Sequence, residues 1–205
     1  VREGGGVLRA RRISGTEPGD EIGLANEADS WIDSLRMCGD GTSVLLAWSE
    51  WAGDRWQFFY QSSGDMGSTW RPEAGRIAPP PGDYDLSSGP VVACRGDRWF
   101  LAWQQYRWFE DENGNVVARG DVMLASTPDR GTSWVHHGAV DSAPEAFSWD
   151  PQVVVEEGGA FLAWSDDRDG HASIYFSAVP VEQTVATPPG TGIGARGHQW
   201  LSGTE

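Results

Sequence analysis

Lysine is absent from the sequence, and all 15 basic residues are arginine. This absence excludes a lysine Schiff base and any phosphate-binding loop that depends on a lysine side chain. Acidic residues outnumber the arginines, and the formal net charge is -15 at pH 7. Because such a chain repels a phosphate backbone, nucleic acid is not an expected partner. No apolar run approaches the roughly 20 residues of a membrane-spanning helix, so no membrane span is expected.

Cysteine is also scarce, since only Cys38 and Cys94 are present. Two cysteines are too few to define a redox compartment. They occupy matching positions in neighbouring sequence repeats, and a disulfide would need their Cα atoms within about 7 Å. Equivalent strand positions in adjacent repeats often lie farther apart than that. Free, small core residues are therefore the expected state of both cysteines.

Helical periodicity is missing as well, which predicts almost no helix. The sequence instead has 27 glycines, 12 prolines and 12 tryptophans, a composition that suits many turns and an aromatic core. The tripeptide Leu-Ala-Trp recurs at residues 46–48, 101–103 and 162–164, each time between further apolar strands. A repeat longer than forty residues with several strands per unit is typical of a propeller or an array. Four strands joined by short turns form a propeller blade.

Two stretches, residues 63–70 and 127–134, share the order hydroxyl, any, Asp, any, Gly, any, hydroxyl, Trp. We call them the first and second Asp turns. The shared positions are Ser63, Asp65, Gly67 and Trp70 in the first, and Thr127, Asp129, Gly131 and Trp134 in the second. Asp and hydroxyl side chains bond to nearby backbone groups in tight turns, and glycine supplies a positive φ. Each tryptophan is expected to begin the next strand and to bury its ring.

These motifs resemble the Asp-boxes, or bacterial neuraminidase repeats, of the sialidase-like β-propeller superfamily. The resemblance covers roughly residues 29 to 180. It implies an all-β fold of about three four-stranded antiparallel blades, at 29–75, 85–140 and 146–180. Residues 1–28 would form an N-terminal segment with a partial strand, at Val7 to Ile13. Residues 181–205 would form a Pro/Gly-rich tail or a closing strand. The resemblance also implies that the Asp turns are structural and lie away from a catalytic face.

A sialidase-type enzyme needs converging arginines, a tyrosine nucleophile activated by a glutamate, and an acid/base aspartate. No such set can be assigned by motif, so no catalytic residue is predicted. The expected function is a non-catalytic recognition scaffold for a glycan or a protein, in a secreted or cell-surface setting. The alternative is a sialidase-superfamily glycoside hydrolase whose site is completed by a second chain or by missing blades. A purely structural assembly unit is the third possibility.

An insertion at residues 106–115 is unique to the second repeat and contains Asn113-Gly114, a strong hairpin signal. A plain hairpin is the default interpretation. A binding loop is the second, with Arg107, Trp108 and Phe109 as candidate ligand-binding residues. A calcium loop is the third, with oxygen ligands from Asp111, Asn113 and Asn115, although the spacing matches a calcium loop only in part. No other cofactor is expected.

Asp166 and Arg168 form a carboxylate–guanidinium pair that would lock a hairpin or bind a ligand. The other two repeats do not keep the pair, and turn-locking is the favoured interpretation. Three blades do not close a ring of six. A homodimer could complete the ring, the terminal segments could build a fourth blade, or the chain could be part of a longer protein.

Overall fold

A computed structural model describes residues 8–14, 16–24, 30–52, 55–77, 85–86, 89–141, 143 and 146–180. Within these ranges the chain is all-β and has no helix, and every strand ladder is antiparallel. The expectation of an all-β antiparallel fold is therefore confirmed. No helix in the described part of the chain is long and apolar enough to cross a membrane.

The strands form a hairpin and three sheets. The N-terminal hairpin contains β1 (Arg9–Ser14) and β2 (Glu17–Gly23). The first sheet contains, in spatial order, β3 (Trp31–Asp40), β4 (Ser43–Ala52), β5 (Arg55–Ser63) and β6 (Gly75–Ile77). The middle sheet contains β7 (Asp85–Leu86), β8 (Val91–Arg95), β9 (Arg98–Glu110), β10 (Val116–Thr127) and β11 (Val135–Ala139), with β7 and β8 both paired to β9. The third sheet contains β12 (Ser148–Glu156), β13 (Gly159–Asp166) and β14 (Ser173–Pro180).

The hairpin and the three sheets stack in chain order, and each Leu-Ala-Trp motif sits at a contact between neighbours. Leu46 and Trp48 pack towards the N-terminal hairpin, whereas Ala47 packs towards the middle sheet. Trp103 likewise faces the first sheet, and Trp164 faces the middle sheet. Because side chains alternate along a strand, the motif directs its two large residues to the preceding layer. Its small alanine faces the following layer.

The cysteines are joined in a disulfide, so the expectation of free thiols is wrong. The Cα atoms of Cys38 and Cys94 lie 5.6 Å apart. The reason is that β3, β8 and β12, the first long strands of the three sheets, lie beside one another, and equivalent positions converge along them.

Three further expectations need correction. The N-terminal segment contains two strands rather than one, because the polar segment of β2 pairs with β1. Trp70 and Trp134 do not begin strands, since β6 begins at Gly75 and β11 begins at Val135. Both indoles are half-buried rather than fully buried, packed against the edges of two core clusters. The predicted domain bounds stay a prediction, and residues 181–205 lie outside the described part of the chain.

Candidate functional site

The first Asp turn is closed by its own side chains. Ser63 Oγ donates to Asp65 Oδ1 over 2.9 Å and accepts the backbone N–H of Gly67 over 2.8 Å. Asp65 also accepts the backbone N–H and the hydroxyl of Thr69, over 2.8 and 2.7 Å. These bonds, with Thr69 as the main cause, lower the pKa of Asp65 to about 2. The carboxylate is therefore held ionised by the turn that it closes.

The second Asp turn repeats the geometry. Thr127 Oγ1 donates to Asp129 Oδ1 over 2.7 Å and accepts the N–H of Gly131 over 2.9 Å. Asp129 accepts the N–H and the hydroxyl of Ser133, each over 2.8 Å. Burial alone would raise the pKa of Asp129, but the bonds from Ser133 and Thr127 lower it. In both turns the glycine has a positive φ, 79° at Gly67 and 82° at Gly131, which a Cβ would resist.

Each Asp turn is also held by the preceding layer of the stack. Arg12 of the N-terminal hairpin donates to Ser68 Oγ over 2.7 Å. Arg71 of the first sheet donates to Thr132 Oγ1 over 2.9 Å, and Ser68 and Thr132 hold the same place in the two motifs. Tyr60 adds a 2.9 Å hydrogen bond to the carbonyl of Gly131. The Asp turns therefore join layers, and their carboxylates already serve structural bonds.

Asp166 and Arg168 form a salt bridge at the end of β13. The buried Asp166 accepts two hydrogen bonds from the Arg168 guanidinium, over 2.9 and 2.7 Å. It also accepts the hydroxyl of Ser148 over 2.8 Å and the indole N–H of Trp164 over 3.3 Å. Burial would raise the pKa of Asp166, but these bonds, led by Arg168, lower it to about 2. Such a fully bonded carboxylate fits turn-locking better than ligand binding.

The position that Asp166 occupies in the third sheet holds a different residue in each of the other two sheets. In the first sheet Glu50 accepts the hydroxyl of Ser30 and, over 2.9 Å, the indole N–H of Trp48. In the middle sheet the position is the neutral Gln105, buried at 1% exposure. Neither Gln105 Oε1 nor Trp103 Nε1 has a hydrogen-bond partner among the described residues. Buried polar atoms without partners are uncommon in folded proteins, so this position is a feature that sequence reasoning missed.

The insertion forms a hairpin that extends β9 and β10 beyond the rest of the middle sheet. Its turn is held by Asp111, whose Oδ1 accepts the backbone N–H groups of Asn113 and Asn115, over 2.9 and 2.8 Å. Asn115 Nδ2 donates to Asp111 Oδ2 over 3.0 Å, and the Asn115 bonds lower the pKa of Asp111. No group of three or more His, Cys, Asp or Glu side chains in the described ranges could hold a metal. The plain hairpin is the interpretation that matches this geometry.

Strand alternation separates the three predicted ligand-binding residues of this hairpin. Trp108, at 58% exposure, lies on the side that faces the third sheet and meets Tyr106 edge to face at 5.5 Å. Arg107 and Phe109 lie on the side that faces the first sheet, where the Arg119 guanidinium sits 4.3 Å from the centre of the Phe109 ring. The structure therefore does not bring the predicted trio together.

A row of three tryptophans crosses the first sheet at its far end, by which we mean the end away from the Asp turns. Trp31 pairs with Trp51, and Trp51 pairs with Trp56, on three adjacent strands. All three face the middle sheet, because they continue the alternation of Ala47 and Phe58. Trp31 is 66% exposed and Trp51 is 42% exposed. The sequence gives no periodic signal for this row, since only the strand register aligns it.

Asp121 lies on the face of the middle sheet that is turned towards the first sheet. It is half-buried and close to Arg107 and Arg119. Burial raises its pKa, and the two guanidinium groups offset part of the rise. The buried Asp141 accepts the N–H of Val122 over 3.0 Å. Its pKa is also raised, mainly by burial and further by the charge of Asp121. The far end therefore combines exposed aromatic rings, arginines and carboxyl groups that hold their protons to higher pH.

No protein-family model matches the chain, and no curated protein matches it. Among solved structures, the chain is similar to Zg3597, a family 117 glycoside hydrolase produced by the marine bacterium Zobellia galactanivorans. The TM-score is 0.44 and the sequence identity is 13%. The match covers 69% of this chain and 50% of that chain, so this chain spans about half of the solved structure. At that distance the similarity assigns neither a family nor an activity.

Proposed function

We propose that the chain is a module of the sialidase-like Asp-box β-propeller superfamily and that it acts as a non-catalytic recognition scaffold for a glycan. The stacking supports the propeller part. Successive sheets pack face to face, their first long strands run side by side, and a covalent bond joins two of those strands. The arginine-to-hydroxyl contact repeats from one layer to the next. Such regular repetition of strand sheets is typical of propeller blades.

The recognition part rests on one observation: large aromatic rings are exposed at the far end of the first and middle sheets. Trp31 and Trp108 are both more than half exposed, and each stands on a paired strand rather than on a free loop. Aromatic rings on a rigid framework give contact area at low cost in conformational entropy. A sugar presents an apolar C–H face with a rim of hydroxyl groups, which suits rings surrounded by arginines and carboxyl groups.

A non-catalytic role is favoured over hydrolysis because side chains of the catalytic types already serve structural contacts. Tyr60 donates to a backbone carbonyl, and Tyr175 donates to Asp169. Among the tyrosines in the described ranges, none hydrogen bonds to a glutamate, as a tyrosine nucleophile would require. The disulfide supports a secreted or cell-surface setting, because disulfides persist in oxidising compartments.

The proposal also concerns how a second copy of the chain would complete a six-bladed ring. In a six-bladed ring made by two copies, the third sheet of one copy would face the first sheet of the other. The third sheet exposes Ile174 and Phe176, each at 73%, on its outer face. The N-terminal hairpin, however, packs against the outer face of the first sheet. Ring completion by a second copy therefore requires the hairpin to move or to form part of the contact.

The test is retention on immobilised polysaccharides of neutral, uronate and sulfated classes, with reducing ends and sialoside turnover measured in parallel. The expected result is retention on at least one class without release of new reducing ends or sugar. The double variant Trp31→Ala, Trp108→Ala should lose retention while keeping its fold. Release of sugar by the wild-type chain would favour the hydrolase alternative. Absence of retention on every class would count against glycan recognition.

A further inference from the structure

The third sheet turns an apolar surface away from the rest of the stack. Val154, Phe161, Ile174 and Phe176 lie on it and are 59%, 46%, 73% and 73% exposed. The ladders bring them together, because Val154 stands opposite Phe161, and Phe176 stands opposite Ala163, two residues further along β13. We call this surface the third-sheet apolar face. Single exposed apolar side chains are normal, but a contiguous group of them marks an interaction site.

The same strand positions form the packing faces of the other two sheets. The alanine of each Leu-Ala-Trp motif faces the following layer, and Ala47 and Ala102 are fully buried there. The residue opposite is Tyr60 in the first sheet and Leu124 in the middle sheet. Ala163 holds the equivalent place in the third sheet. The third-sheet apolar face therefore repeats a surface that the stack buries twice.

A neighbouring position shows the same contrast. Phe58, Val122 and Ile174 each stand opposite the residue two places after the alanine of the motif. The next sheet buries Phe58 and Val122 to 1% and 0% exposure. No further sheet covers Ile174 among the described residues. Removing such side chains from water would favour association with another apolar surface.

The chemistry of this face restricts what can cover it. None of the outward-facing residues of β13 and β14 is charged. A charged surface pressed against them would lose hydration without gaining an ion pair. The partner surface must therefore be apolar and uncharged where it meets these two strands.

The N-terminal hairpin, at the other end of the stack, does not meet that requirement. Leu8 and Ala10 pack inwards, so strand alternation turns Arg9 and Arg11 outwards. Both arginines form ion pairs with Glu21. Head-to-tail stacking of two copies would bury these charges against an apolar surface. A second third-sheet apolar face brings no charge on β13 or β14 and has the same width, so this face is complementary to itself.

The sequence that follows β14 is a poorer match for the face. Residues 181–205 lie outside the described part of the chain. Their sequence combines prolines and glycines with scattered large apolar residues, without the alternation that is typical of a strand with one apolar side. This pattern favours a second copy over the tail as the occupant.

We propose that the third-sheet apolar face binds the same face of a second copy of the chain across a two-fold axis. Two copies then form one stack of six sheets with an N-terminal hairpin at each end. A two-fold contact uses the same surface on both copies and therefore stops at two. It leaves the hairpins in place, unlike completion of a ring, and it does not depend on the proposed glycan recognition.

The net charge gives this contact a distinctive salt dependence. Each copy carries a formal net charge of -15, so two copies repel one another at long range. Salt screens that repulsion, and the apolar contact contains no ion pair for salt to weaken. The dimer should therefore be tighter at about 0.5 M than at about 0.05 M sodium chloride. Weaker dimerisation at the higher salt concentration would indicate a contact held by ion pairs and would contradict the proposal.

The test is sedimentation velocity of the full chain over a wide range of concentrations. The wild type should approach twice the monomer mass and should not exceed it. Ile174→Glu brings a charge from each copy into the contact and should weaken dimerisation about tenfold or more. Phe176→Thr keeps a strand-forming residue and should weaken dimerisation as well. Circular dichroism and the thermal midpoint Tm check that each variant is folded.

The matched control is Ile13→Glu, because Ile13 is also well exposed, at 69%, but lies on the N-terminal hairpin. It should leave the dimerisation constant within about twofold. Equal weakening by Ile13→Glu and Ile174→Glu would place the hairpin in the contact, and growth beyond two copies would indicate head-to-tail stacking. Either result overturns the two-fold contact.

A wild-type chain that stays monomeric at every concentration and salt would also overturn the proposal. Retention of that monomer on a polysaccharide would leave glycan recognition standing. A dimer that no polysaccharide retains would support the two-fold contact and count against glycan recognition. The two proposals therefore fail separately.

Discussion

The residues at the two ends of the sheets differ in exposure and in the contacts that they make. At the Asp-turn end, the carboxylates of Asp65 and Asp129 are committed to hydroxyl and backbone donors. Neighbouring layers are tied there by arginine contacts, and the disulfide lies in the same half of β3. At the far end, Trp31 and Trp108 stay exposed although burial would stabilise the fold. The acidic motif therefore marks a stabilising contact, and the exposed rings mark the surface that we propose as the binding surface.

The largest expected loss of stability comes from removing the disulfide, which lies near the Asp-turn end. The disulfide closes a loop with a sequence separation of 56 residues, for which chain-entropy arguments give a stabilisation of about 4 kcal/mol. The double variant Cys38→Ser, Cys94→Ser should lose about that much unfolding free energy in urea. A loss below about 1 kcal/mol would show that the two sheets are held without it.

The next largest loss of stability is expected for a tryptophan at the Asp-turn end, compared with one at the far end. Trp134 packs against Tyr60 with ring centres 5.2 Å apart and touches the core, so Trp134→Ala should cost about 3 kcal/mol. Urea unfolding measures the change, with Trp108→Ala as the matched control. Equal losses in the two variants would contradict the division between the ends.

A pH effect follows from the Asp turns. Asp65 has a folded-state pKa of about 2, below its ordinary value of about 3.9. Since the folded-state pKa is lowered, the ionised group stabilises the fold fully above about pH 4, and this contribution is lost as the pH falls towards 2. The Tm of the wild type should therefore fall more steeply between pH 4 and pH 2 than that of Asp65→Asn. Parallel curves would mean that the turn does not prefer the ionised form.

The smallest expected effect on stability is at the far end. Trp31→Ala should change the unfolding free energy by less than about 0.5 kcal/mol, because most of the ring is already in water. The same urea titration measures it. A loss of 2 kcal/mol or more would mean that the ring belongs to the core and is not kept for a ligand.

Local patterns in the sequence predicted the local parts of the structure. The Asp turns follow from contacts between residues two to four positions apart, and Leu-Ala-Trp alternation follows from strand geometry. The disulfide was missed because strand convergence involves distant residues. Strand β2 was missed because its residues are nearly all exposed and show no apolar alternation.

The far end was the hardest part to predict from sequence. Trp31, Trp51 and Trp56 become neighbours only through the register of three strands. Arg107 and Phe109 were predicted as ligand-binding residues together with Trp108, but strand alternation places them on opposite sides of the sheet. Register and sheet order depend on tertiary packing, which no single local motif encodes.

The most direct test of the account compares polysaccharide retardation for two folded variants, Asp129→Ala and the double variant Trp31→Ala, Trp51→Ala. We expect Asp129→Ala to lower the Tm but to keep the wild-type affinity, whereas the double tryptophan variant should keep the Tm and lose binding. Loss of binding in Asp129→Ala at a temperature where it is fully folded, with binding retained by the tryptophan variant, would contradict it.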